Sequence, residues 1–130
     1  MKVLNLTPHN VSVLDPATVV PAPGGKFSAD PATVRALLVL PSAGVARVST
    51  TVADKDPLDV DGVSVPTVSM TFSDPVDLPP QQDGVMLVVS SLLASSPAVR
   101  GRTDLLTPAK QVVSKDNPSQ VLGCLALSRV

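Results

Sequence analysis

The chain has 130 residues, 44% of them hydrophobic and 16% charged, which is enough length for one buried core and enough apolar area to offset the entropy of ordering it. Ten Lys and Arg against eleven acidic residues, with only two aromatic rings, exclude both the basic field of a duplex binder and the stacking platform of a single-strand binder. The longest apolar runs, residues 37–40 and 85–89, fall far short of the roughly 20 residues that span a bilayer, and polar Asn5 cuts short the apolar start at residues 1–4.

One β-rich domain over residues 1–130 is therefore expected, cytoplasmic, with neither nucleic acid nor membrane as partner. Fourteen prolines and seven glycines leave few uninterrupted helical windows, so short strands are the natural filling. Residues 2–6 and 11–14 read as strands around Thr7-Pro8-His9-Asn10, whose turn chemistry predicts a hairpin or a strand bend. Residues 15–25, with three prolines and a glycine pair, suit an edge strand or irregular excursion and are read as a surface loop. Asp30-Pro31 has the form of an N-cap followed by proline at the first helical position, which predicts a short helix over 32–37.

Pro41-Ser42-Ala43-Gly44 turns the chain into a strand over 45–52, with Ala46, Val48 and Val52 facing inward and Arg47, Ser49 and Thr51 outward. Asp54-Lys55-Asp56-Pro57 reads as a polar turn. Asp61-Gly62 reads as the turn of a hairpin between residues 58–60 and 63–72, with Pro66 at a bulge or on an edge. Residues 73–84 form a surface crossing, and Val85-Met86-Leu87-Val88-Val89 is a strand buried on both faces. Ser90 and Ser91 offer hydroxyl caps for a short helix stopped by Pro97. Residues 103–106, 111–113 and 120–127 look extended, separated by Pro108 and the turn at 115–118. The fold class expected is mainly β or α+β: a small mixed or antiparallel sheet, or a barrel-like domain, with one or two short helices.

Chemistry-bearing residues are sparse. His9 is the only histidine and Cys124 the only cysteine, so no spacing resembles a structural zinc site and no internal disulfide can form. Cys124, inside an apolar stretch, reads as a small buried hydrophobe. His9 following Pro8 is a turn residue, a ligand contact or a general base. Ser42 and Ser90 lack the flanking glycines of a nucleophile elbow, and Gly24-Gly25-Lys26 lacks the spacing of a phosphate loop. Arg102 and Asp104 point the same way in an extended segment and suit either an ion pair or, through the arginine fork, an anionic ligand. Arg47 is a second cation able to reach an anion.

Leu4-Asn5-Leu6-Thr7-Pro8-His9, Pro41-Ser42-Ala43-Gly44-Val45-Ala46-Arg47, Val88-Val89-Ser90-Ser91-Leu92, Arg102-Thr103-Asp104 and Gly123-Cys124 together resemble a family of small uncharacterised bacterial and bacteriophage proteins. Residues 17–37 look like an insertion relative to its shorter members, and Ser73 stands where the family pattern has glycine after an aromatic. The resemblance implies a phage or prophage setting and polar motifs at strand ends; it implies no catalytic residue. Should Thr7, His9, Arg47, Ser90, Arg102 and Asp104 converge, they would form a pocket for a small anion. The expected function is accordingly a non-enzymatic protein that binds, and sequesters, a nucleotide-like ligand without cofactor or metal. A virion structural or accessory protein is the alternative, and a small hydrolase using His9 ranks third. Self-association is expected in each case, because a small β-rich domain exposes strand edges.

Overall fold

The proline and glycine spacing leaves room for strands and little else, and the computed structural model, which describes residues 1–130, has ten strands and one four-residue α-helix. In chain order these are β1 (Lys2–Asn5), β2 (Val11–Leu14), β3 (Val20–Ala22), β4 (Lys26–Ala29), β5 (Ala36–Leu40), β6 (Thr50–Val60), β7 (Val63–Phe72), β8 (Val85–Val88), α1 (Ser91–Ala94), β9 (Leu105–Ser114) and β10 (Val121–Arg129).

Eight strands form one mixed sheet along the path β1-β8-β9-β10-β2-β5, with β4 joining β9 and β3 joining β4. The pairs β1/β8, β8/β9, β10/β2 and β4/β9 are parallel, whereas β9/β10, β2/β5 and β3/β4 are antiparallel. The two ends of the path meet through a bridge between Asn5 and Ser42, where the Ala43 N–H donates to the Asn5 carbonyl at 2.8 Å. The sheet thus curls into a barrel-like body. Strands β6 and β7 pair only with each other and form a separate two-stranded sheet.

Strand β8 sits at the centre because its run of apolar residues can bury both faces. Leu87 and Val89 pack with Leu6, Ala46, Leu93, Val99 and Leu105 on one side, while Val88 packs with Val11, Leu40, Leu106 and Cys124 on the other. Leu14, Ala29 and Val112 form a third cluster, with Phe27 against it. Leu, Val and Ala therefore fill the core, as the aromatic poverty of the chain requires. Where β10 crosses β2 the backbones nearly touch: a Cβ on Gly123 would lie 2.6 Å from the Ser12 carbonyl oxygen, so only glycine fits.

Of the two readings of Thr7-Pro8-His9-Asn10, a hairpin or a strand bend, the bend holds, because β1 pairs with β8 and β2 with β10 and β5. Several other expectations are corrected. The helix expected over 32–37 is a single turn: the Asp30 carboxylate accepts from the Ala32 N–H at 2.9 Å, after which the chain extends into β5. Pairing with β2 outweighs the capping signal: Ala36, Leu38, Val39 and Leu40 take partners there, and Leu40, the one buried residue of β5, lies where the sheet closes beside β1. Residues 15–25 hold the short edge strand β3, which pairs only with β4 and so tolerates Pro21. Asp54-Lys55-Asp56-Pro57 stays within β6, where the pairing shifts register between Lys55 and Leu58 opposite Pro66. Of the residues expected to face inward, Ala46 is buried and Val48 half-buried, but Val52 is exposed. Pro108 does not end its strand; at 107–110 only β10 flanks β9, and one-sided pairing tolerates a missing N–H.

Other expectations hold. The Asp61-Gly62 turn has φ of 53° and 82°, the doubly positive geometry that Asp-Gly favours between twisted strands. Ser90 caps α1, its Oγ accepting from the Leu93 N–H.

Candidate functional site

Asn5 organises the bend after β1. Its side chain is 1% exposed, and its Nδ2 donates to the carbonyls of His9 at 2.7 Å and Leu40 at 2.9 Å. Its Oδ1 accepts from the Thr7 N–H at 3.0 Å and the Thr7 hydroxyl at 2.6 Å. The Ser42 hydroxyl donates to the Thr7 carbonyl at 2.6 Å from the facing segment. One buried amide thus ties together the end of β1, the bend and the end of β5, where the barrel closes. The Leu-Asn-Leu-Thr-Pro-His motif is a structural clamp whose central residue is Asn5. Sequence reading passed over Asn5, although an asparagine between two leucines, immediately ahead of Thr-Pro, is the signal for a side chain that must find partners inside.

His9 contributes its carbonyl to this clamp, while its exposed imidazole makes no hydrogen bond. Thr7 and Ser90 leave the adjacent parallel strands β1 and β8 at the same level, two residues beyond the Asn5–Val88 pairing. Arg47 lies nearby in the chain path: Ala46 donates to the Leu6 carbonyl at 3.1 Å, and Arg47 itself pairs with Val76. The Arg47 guanidinium is exposed and takes part in no ion pair.

Arg102 and Asp104 occupy the other end of β8. Leu105 is level with Leu87, which places Asp104 beside Met86, four residues short of Ser90. At about 3.3 Å per residue that is roughly 13 Å along the strand. The two side chains form a fork, with Nε to Oδ1 at 2.9 Å and Nη2 to Oδ2 at 2.6 Å. Asp104 is 3% exposed, and hydrogen bonds from the Arg102 guanidinium hold its carboxyl below the ordinary value of 3.8. The fork that could have received an anion is occupied by a neighbour on the same chain.

Of four surface pockets, two are more than minor. One, of about 200 Å³, runs along the β2–β10 crossing beside Gly123; the other, of about 400 Å³, lies between the end of β7 and the turn at 96–98. Neither is lined by any of the six polar residues singled out in the sequence. Every buried side-chain nitrogen and oxygen has a hydrogen-bond partner, so no orphaned polar atom points into a cavity. Burial pushes the Cys124 thiol up, and the sulfur contacts the Ser12 carbonyl at 3.6 Å.

The feature left without an internal role is the β6–β7 hairpin. Its strands of 11 and 10 residues leave the body from an anchor in which Arg47 and Val76 exchange backbone hydrogen bonds and the Ser73 N–H donates to Ser49. Beyond that root nearly every side chain is exposed on both faces. No helix is long and apolar enough to cross a membrane. No family model, curated protein or solved structure matches the chain.

Proposed function

We propose that this is a non-enzymatic protein that works by protein–protein assembly, a structural or accessory component of the phage or prophage setting to which its sequence resemblance points. The observation that carries this reading is the projecting hairpin. An isolated two-stranded ribbon is marginal in water, and this one exposes seven large apolar side chains. A partner surface that covers them gives the ribbon a reason to exist. The polar groups tell the same story from the other side: Asn5, Ser90 and the Arg102–Asp104 pair are spent on a clamp, a cap and an ion pair. To test it, particles released from a lysogen carrying the gene are purified and probed for the chain. Recovery of the intact chain, and loss of a form with residues 50–72 replaced by a short turn, supports assembly; absence of both from particles and from any defined complex overturns it.

A second reading keeps the small anionic ligand. It is favoured by Arg47, an exposed and unpaired cation close in chain path to Thr7, with the free imidazole of His9 beyond the same bend. Isothermal titration against nucleotides measures it directly: binding that disappears in Arg47→Ala supports it, and no heat with any nucleotide removes it.

A further inference from the structure

The hairpin and one other element carry most of the exposed apolar surface. In β5, Leu37, Leu38 and Val39 are 62%, 49% and 48% exposed, although they are consecutive residues of a strand. Alternation sends consecutive side chains to opposite faces, so over residues 37–39 β5 is bare on both, and only its end at Leu40 is covered. Its only strand partner is β2, and its far edge meets the rest of the sheet only beyond its end, at the Ser42 bridge. Such an edge is a template for another strand.

The hairpin has the matching character. Pairing places Val52 opposite Met70, with Val68 one pair further out on the same face. Past the register shift at Asp56 and Pro57, Leu58 faces Val65 and Val60 faces Val63 on the other side of the ribbon. Each half of the arm therefore presents an apolar strip, flanked in the inner half by Asp54 opposite Val68, and the intervening positions are Thr, Ser, Ala, Pro, Asp and Lys. Within one chain β5 pairs with β2 alone, β6 and β7 pair only with each other, and the apolar side chains of both stay exposed.

Charge indicates what covers them. The arm carries Asp54, Asp56, Asp59 and Asp61 against Lys55 alone, a formal charge of −3, whereas the rest of the chain, nine Lys and Arg against seven Asp, is +2. A second copy of this chain therefore offers an arm-complementary body, and two arms facing each other would repel. Size agrees as well: a standard interface takes about 20–30 residues a side, and in a reciprocal exchange each copy offers an arm of 11- and 10-residue strands together with its five-residue β5.

We infer that the β6–β7 hairpin is an exchange arm that docks on the exposed β5 strand of a second copy, and that reciprocal docking closes a two-fold dimer. This inference rests on the assembly reading and names its partner. The full chain is examined by sedimentation velocity across a concentration series, together with the pairs Val68→Asp/Met70→Asp and Leu37→Asp/Val39→Asp. The wild type is expected at twice the 13.3 kDa chain mass, and each pair at the monomer mass with unchanged circular dichroism. These four side chains are solvent-exposed, so the body does not depend on them for folding. An independent readout mixes Val68→Cys with Leu38→Cys under mild oxidation, with the buried Cys124 protected. A mixed disulfide is expected.

A wild type that stays monomeric at every concentration overturns the inference, as does an arm variant that stays dimeric. A disulfide formed by Val68→Cys with itself and not with Leu38→Cys puts arm against arm and overturns the assignment to β5. If the wild type is monomeric yet the arm is still required for entry into particles, the assembly reading survives and the second copy is the part that fails.

Discussion

Asn5 is the residue on which the closure of the body depends most. Replacing it with leucine preserves size but leaves the Leu40 carbonyl and the Thr7 N–H without their partner, a loss of about 3 kcal/mol in urea unfolding. Thr7→Val removes one hydroxyl from the same clamp and should cost roughly 1 kcal/mol. A His9→Ala variant leaves the His9 carbonyl in place and should match the wild type in stability, which separates the clamp from the imidazole. The Arg102–Asp104 pair makes stability depend on acid. Because the folded carboxyl titrates below its ordinary 3.8, the pair contributes fully above that value and its contribution is lost as pH falls through the lower, folded value. Asp104→Asn should therefore flatten the acid limb of a stability-against-pH curve. Arg102→Ala, which strands a buried carboxylate, should cost about 2–3 kcal/mol at neutral pH, recovered in part below pH 4.

Two kinds of strand behave differently in this molecule. The run Val85-Met86-Leu87-Val88-Val89 is legible as a central strand because every position is apolar, and the alternation of β7 is legible because residues 63–72 interleave hydroxyl and apolar side chains. That interleaving, however, encodes only that a strand exists. Whether its apolar face is covered by the same chain is a tertiary fact, and for Val52, Val68 and Met70 it is not. The arm and the body are therefore expected to separate in stability. Amide protons of β6 and β7 beyond the root should exchange at rates near those of an open chain in dilute solution, while those of β8 and β9 exchange only through global unfolding. Excising residues 50–72 and joining Ser49 to Ser73 through a short turn should leave the melting temperature of dilute protein within a few degrees, since the arm adds nothing to the three apolar clusters.

For the molecule as a whole, an arm-exchanged dimer links folding to concentration. Each tenfold dilution should lower the melting temperature by about 2–3 °C if dissociation accompanies unfolding, and the Val68→Asp/Met70→Asp pair should show no such dependence. The sequence by itself determined that the chain is β-rich, that Leu, Val and Ala fill its core, that Ser90 starts a helix and that Asp61-Gly62 turns a hairpin, because each of these is a local preference or a periodicity. Tertiary structure alone decided which distant strands the bend at Thr7-Pro8-His9-Asn10 joins, that Asp30-Pro31 starts a turn and then a strand, and that the Arg102–Asp104 ion pair, itself legible from the extended spacing, lies some 13 Å along β8 from Thr7 and Ser90. Parallel pairing joins residues far apart in the chain, and neither its order nor the end of a strand at which a side chain emerges is written in local sequence. Leu-Asn-Leu-Thr-Pro-His is the clearest example: its turn chemistry is legible, but the partners of Asn5 lie at Leu40 and His9, and only closure of the barrel makes them partners.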